Sequence, residues 1–362
     1  MTIFVKDELR ASVEAATGGK VTVLYTASGA PSYVHPVPKF SKQDLDPSLG
    51  SGVHEAFIVG GVEKSEVFVG AYPGVVKGGE LLSLPGVDPS ASANHDQFVA
   101  YARACGAGWH CMSNAEWAAL QLWCWKNGFM PRGNSNYGRS SDNTWEAGRR
   151  TDGIAPGTVS GAARTLTGSG PASWRHDNSP AGISDLCGNV WEWAPGLRVV
   201  DGEIQVTANN DSVLSATDLG PTSSAWKAID GVTGALVTPT FTGSIVGGNY
   251  VPTTPNSVRY AVSGTANYTL VRASGASFEG MTNPGGSPAS ADAIKVLKSL
   301  GLFPVDGALG GDGFYLTVTG ERLPLRGGDW SRGSLAGVFA LYLADARSGA
   351  QTGIGARPAF VL

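Results

Sequence analysis

Asp185-Leu186-Cys187-Gly188-Asn189-Val190-Trp191-Glu192-Trp193 is the stretch on which the fold turns. Two indoles flank one carboxylate, and a valine stands between Asn189 and the first indole. In extended backbone alternate side chains point to opposite faces. Trp191 and Trp193 would then bury one face of a strand and leave Glu192 for polar work on the other. Each indole supplies much apolar burial, but its N–H needs an acceptor once it is buried.

Upstream, Ser113 with Glu116 has the spacing of a capping box, in which the hydroxyl satisfies a free helix amide and the carboxylate reaches back. Trp117, Leu120 and Cys124 follow at helical spacing and predict one apolar face over about 113–126. A shorter helix at about 94–105 is opened by Asn94 with Gln97 and carries Phe98, Tyr101 and Ala102 or Cys105. Downstream, residues 326–362 read as a rigid frame with unrelated residues set into it. The frame is Gly328, Trp330, the run 336–340, Leu341, Leu343, Arg347 and Arg357-Pro358-Ala359-Phe360. Leu341 and Leu343 fit the buried face of a strand, which sends Tyr342 to the other. Glycines around them supply turns and close backbone approach.

The segment 185–193 is similar to the Gly-Asn-Val-Trp-Glu-Trp signature of the formylglycine-generating-enzyme family, a branch of the C-type lectin fold. Gly327-Gly328-Asp329-Trp330 and Gly355-Ala356-Arg357 resemble that family's Gly-Gly-Ser-Trp strand and terminal Gly-Phe-Arg. Residues 108–117 resemble its helix start. The three ordered anchors cover much of residues 90–362. The resemblance implies an α+β, formylglycine-generating-enzyme-like C-type lectin fold, loop-rich, with antiparallel strands, two main helices and a large insertion.

The C-terminal segment also resembles the variable region of proteins diversified by diversity-generating retroelements, in which a reverse transcriptase rewrites adenine-rich, mostly Asn, codons. The residues set into the frame are Asp329, Ser331, Arg332, Leu335, Tyr342, Ala344, Asp345, Gly349 and Gly353. All nine are reachable by changing the first two bases of an Asn codon. Gln351, at the next position of the same rhythm, is not.

The family's oxidase chemistry rests on a cysteine pair after the Gly-Gly-Ser-Trp strand. The four cysteines here are Cys105, Cys111, Cys124 and Cys187, and none follows. By spacing from Trp330 the family's positions fall at Arg332 and Gly337, neither of which is a soft-metal ligand. No enzyme activity is expected. The cysteines are expected to be free and buried; a Cys105–Cys111 disulfide is geometrically conceivable. The histidines His35, His54, His95, His110 and His176 lack metal-ligand spacing and are expected to be hydrogen-bonded structural groups. No phosphate-binding loop or hydrolase motif is present, and the glycine-rich 307–313 reads as a plain loop. No cofactor is required. The resemblance makes calcium a candidate ion, held by Asn189 and Glu192 with the backbone of Gly188 and Val190; the alternative is that both side chains hydrogen-bond neighbouring loops.

Hydrophobic residues make up 42% of the 362 and include ten tryptophans, so a sizeable core is expected. Charged residues are only 15% while glycines number 51, the profile of a loop-rich domain rather than a helical bundle. A net charge of −4 gives no basic field for nucleic acid. Met1–Arg10 lacks the apolar core of a signal peptide, and no stretch approaches a membrane span. Synthesis in the cytoplasm is expected; the place of work is open, a virion or cell surface being the candidates.

The reading divides the chain into an N-terminal arm with strands, 1–50, and a lectin-fold domain, 51–362, which contains an insertion at about 199–322 and the variable region 326–362. Phe57-Ile58-Val59 and Val67-Phe68-Val69 read as the first strands of the core. Residues 131–179 read as a loop region whose Trp145 and Trp174 pack inward. The insertion is expected to hold hairpins and a helix capped by Ser290 and stopped by Gly301.

The expected function is display of side chains 329–353 toward a protein or glycan on a cell surface. Tyr342 is the best anchor, Arg332 and Asp345 give charge selectivity, and Leu335 adds apolar area. The competing readings are a formylglycine-type oxidase and an invariant structural phage tail component. Oligomeric state is open.

Overall fold

The computed structural model describes residues 7–272, 276–284 and 286–362; the opening of Met1–Arg10, residues 1–6, lies outside the described residues. The fold is mixed α+β, mostly strands, with five helices and no closed barrel among the described residues. The helices are α1 (Asp7–Thr17), α2 (Lys42–Leu45), α3 (His95–Ala104), α4 (Asn114–Asn127) and α5 (Ala291–Ser299). Among the described residues no helix is long and apolar enough to cross a membrane.

The helices read from capping chemistry sit where expected. Asn94 accepts from Gln97 N and opens α3, Ser113 accepts from Glu116 N and opens α4, and Ser290 accepts from Ala293 N and opens α5. Both reciprocal boxes, Asn94/Gln97 and Ser113/Glu116, are closed. One expectation is corrected: α4 has no single apolar face. Asn114 through Leu122 are all buried, because the insertion covers the side that would otherwise meet solvent; Asn114 Nδ2 donates to Leu300 O at 3.0 Å.

Three sheets carry the fold. In the first, an antiparallel order runs Thr22–Tyr25, Pro31–Pro38, Glu66–Gly70, Pro358–Phe360, Trp109–Cys111. The division at residue 50 is therefore corrected. The arm is part of the sheet that receives the C-terminus, since Pro31–Pro38 pairs with Glu66–Gly70 over five residue pairs. The arm also holds α1, none of whose residues is buried although Leu9, Val13 and Ala16 recur at helical spacing; Asp7 and Glu8 favour its positive end.

The second sheet is ordered Phe314–Leu316, Gly337–Leu343, Leu325–Gly327, Trp191–Trp193, Ile354–Ala356, with parallel outer pairs and antiparallel inner ones. The third, of seven strands, belongs to the insertion together with Leu197–Val200. The insertion thus holds hairpins and α5, as expected, and its strand Phe314–Leu316 lies beside Gly337–Leu343. Residues 131–179 are mainly turns and bridges, and Trp174 is buried, but Trp145 is 79% exposed, against expectation. Its neighbour Glu146 is the residue that turns inward, accepting from Arg132 and from Trp174 Nε1 at 3.0 Å.

Candidate functional site

Strand Trp191–Trp193 is buried on both faces, so the expected polar outer face does not exist. Glu192, 1% exposed, meets Arg357 in a two-pronged ion pair, Nε to Oε2 at 2.9 Å and Nη2 to Oε1 at 2.6 Å. The guanidinium also donates to Gly70 O and Ser184 O at 2.9 Å each. Burial outweighs the arginine and lifts the Glu192 carboxyl above its ordinary value. Asn189, in the left-handed region at φ 66°, accepts from Thr165 N at 2.8 Å and Asn134 Nδ2 at 3.3 Å, and returns a bond to Thr165 O at 3.2 Å.

Calcium does not fit these groups. Both Glu192 oxygens face a guanidinium that already supplies the positive charge, and the Asn189 oxygen faces two N–H donors. Among the described residues no three His, Cys, Asp or Glu side chains are grouped to hold a metal. Asn189 and Glu192 take the hydrogen-bonding alternative.

This inner strand is the floor under the C-terminal segment. Leu341 and Leu343 are fully buried and Tyr342 lies on the opposite face, half-exposed, as the alternation predicts. Its ring packs on Trp191, centroids 5.4 Å apart, and on Tyr315, 5.2 Å. The parallel register sets Tyr315 directly opposite Tyr342, between Phe314–Leu341 and Leu316–Leu343. Arg332 lies 6.0 Å above the Trp191 ring and 5.9 Å from that of Tyr315. Burial works against the Arg332 cation, but Asp329 and Tyr315 outweigh it and raise its pKa. Asp345 is pushed up by burial against the pull of Arg322 and Arg332, and Tyr342 is raised by burial and by Asp345.

The nine residues therefore share one neighbourhood, though not all as displayed side chains. Ser331 is exposed, and Arg332, Leu335, Tyr342, Ala344, Asp345 and Gly349 are half-exposed. Asp329 and Gly353 are buried, which corrects their expected display. The Asp329 carboxylate folds back to accept from Ser331 N at 2.9 Å and Ser331 Oγ at 2.6 Å, and it faces Arg332 at 3.4 Å; it shapes the turn. Gly353 gives its carbonyl to Trp191 N at 2.8 Å. Gln351, outside the reachable set, is exposed with its amide 3.5 Å from Asp345.

Support from behind is close. Gly328 holds φ 90°, and Gly337 has no room for a side chain because a Cβ would collide with the Asp312 carboxylate. That carboxylate accepts from Phe339 N at 2.7 Å, and burial pushes its pKa up to about 7. Trp117 Nε1 donates to Val338 O at 2.8 Å. Sequence reading missed Tyr315 and Arg322, both supplied by the insertion. The alternation Phe314-Tyr315-Leu316 was the available signal, matching Leu341-Tyr342-Leu343 residue for residue.

All four cysteines are free and buried, and burial raises each thiol, Cys105 to about 12. His54, His110 and His176 are hydrogen-bonded as expected, and His95 pairs with Asp96. No family model matches the chain, and no curated protein matches it.

Proposed function

We propose that this chain is a non-enzymatic variable ligand-binding protein, diversified by a retroelement and built on a C-type lectin scaffold of the formylglycine-generating-enzyme type. The observation that carries the reading is the packing of Arg332 and Tyr342 against Trp191 and Tyr315, with the Asp345 carboxylate acting on both, while Leu341 and Leu343, which alternate with Tyr342, are fully buried. A surface that tolerates rewriting needs this division, because substitutions at buried positions would cost stability and those at the rim would not. Tyr342 gives contact area at small entropy cost, and Arg332 and Asp345 give charge discrimination. A shallow mixed face suits a protein or glycan surface. Protonated, buried thiols and a glycine where the family has a cysteine support a non-catalytic role.

The test is to sequence sibling isolates and flanking DNA across codons 326–362. Differences confined to codons among the nine, concentrated at the seven exposed and half-exposed positions 331, 332, 335, 342, 344, 345 and 349 and matched by adenines in a nearby template copy, are expected; identical codons with no template would leave a fixed binding protein. At the protein level, Arg332→Glu should weaken ligand binding about tenfold or more while changing stability by less than about 1 kcal/mol. Loss of folding in thermal denaturation would count against a displayed side chain at this position.

A further inference from the structure

A second concavity lies wholly outside the variable segment. The insertion's hairpin, Phe241–Thr242 with Val251–Pro252, brings Phe241 and Tyr250 against the seven-stranded sheet and encloses a cleft of about 280 Å³. Tyr250 Oη meets Gln205 Nε2 at 3.0 Å, which ties the hairpin to the sheet. Phe241 stacks on Tyr250 with centroids 4.5 Å apart and remains 48% exposed. Pro221, Pro239, Ile245 and Trp226 complete the apolar lining, and five serines and threonines fill the rest of the wall.

One charged side chain faces this cleft, Arg198, itself 3% exposed. It lies 4.5 Å over the Trp226 ring. Its Nε donates to Gln205 Oε1 at 2.8 Å, and Nη1 to Pro221 O at 2.8 Å and Glu321 at 2.9 Å. Among the described residues no acceptor meets Nη2. Glu321 is shared with Arg347, which takes both its oxygens at 2.9 Å, so two guanidiniums divide one carboxylate. The other nearby carboxylate, Glu203, lies behind Gln205 and accepts from its Nε2 at 2.7 Å. No carboxylate lines the cleft. An apolar, aromatic-walled pocket with a single partly unsatisfied guanidinium is complementary to a flat ring that carries one negative acceptor.

We propose that this cleft binds an aromatic monocarboxylate, its ring against Phe241 and Tyr250 and its carboxylate on Arg198. Because no residue of 329–353 lines it, the site is constant across variants and independent of the display face.

Benzoate is the probe, titrated into the full chain by calorimetry, with acetate and benzamide as controls. A dissociation constant of about 0.1–1 mM is expected for a ligand of this size. Acetate should not saturate, since it lacks the ring, and benzamide should bind at least about fivefold more weakly, since it lacks the charge. Arg198→Met should weaken benzoate about tenfold or more. Phe241→Ala, at an exposed position that leaves the core intact, should weaken it about fivefold, and Val62→Ser, on a distant exposed hairpin, should not change it. No saturation by benzoate, equal binding of benzamide, or unchanged affinity in Phe241→Ala would overturn the proposal. None of these results depends on whether the C-terminal codons vary.

Discussion

Arg357 and Glu192 are separated by 165 positions and meet as fully buried ions. Such a pair gains little over an apolar pair of the same shape, because both ions lose their hydration; removing one partner strands the other. Arg357→Met should therefore destabilise the fold by about 3–5 kcal/mol, as Glu192, Gly70 O and Ser184 O lose their donors together. Adding Glu192→Leu should recover part of that loss, and urea denaturation of the single and double variants measures it. A double variant as unstable as the single would show that the carbonyl contacts, not the stranded carboxylate, dominate. The same geometry predicts that millimolar calcium leaves the melting temperature unchanged, since the guanidinium already fills the cation's place. Asn189 and Glu192 were recognisable in the sequence as special residues, but their partners were not. Arg357 is a legitimate calcium-site neighbour or a replacement for the ion, and only the folded distance decides.

At the scale of elements, the N-terminal hairpin meets the loop after Trp174 through His35 and His176, whose rings lie 4.8 Å apart. Burial holds the His35 pKa below its usual 6.5, and burial together with His35 holds His176 near 3. The unfolded chain then binds more protons than the native one below pH 6.5, so the stability these groups allow is present above that pH and lost as pH falls toward 3. Asp312, raised to about 7, acts in the opposite sense, the native state holding its proton more tightly between pH 3.8 and 7. Comparison with His35→Phe cancels Asp312. Wild type should lose stability relative to the variant by up to about 1.4 kcal/mol per pH unit between pH 6.5 and 4.5, read from urea midpoints. Parallel pH profiles would mean that the ring pair titrates freely. Elements were legible in the sequence wherever their signals are local: the reciprocal caps at Asn94/Gln97 and Ser113/Glu116, the Ser290 cap, and the alternation at Leu341-Tyr342-Leu343. Helix α1 escaped because its stripe, Leu9, Val13 and Ala16, is short and built of small or single apolar residues, and the inward turn of Asp329 escaped because an aspartate that closes its own turn has the same sequence as one displayed to solvent.

For the whole molecule, the insertion is the part that sequence pattern placed but did not explain. It closes the edge of the second sheet, Phe314–Leu316 lying parallel to Gly337–Leu343, and it contributes Tyr315 to the face that holds Tyr342. It also covers α4 through α5 and anchors another buried cation: Arg326, fully buried, donates to Asn114 Oδ1 at 2.7 Å and to Gly301 O at 3.0 Å, with no carboxylate partner among the described residues. Replacing residues 199–322 with a short turn would uncover the strand edge, expose the apolar side chains of α4 and remove one of the two acceptors of Arg326. Edge exposure of a flat apolar strand invites association, and a stranded buried cation costs several kcal/mol. The shortened chain should therefore lack a cooperative melt and elute as aggregate in size exclusion. Replacing only the exposed tip 243–249 with a two-residue Asn-Gly turn should instead cost less than about 1 kcal/mol, because its backbone makes few bonds beyond the hairpin. A soluble, cooperatively melting product of the large deletion would mean that the rest of the chain folds alone and that the insertion is an appendage. Aggregation of the large deletion, with a folded tip replacement, would make the insertion the structural wall behind the face of Tyr342 and Arg332.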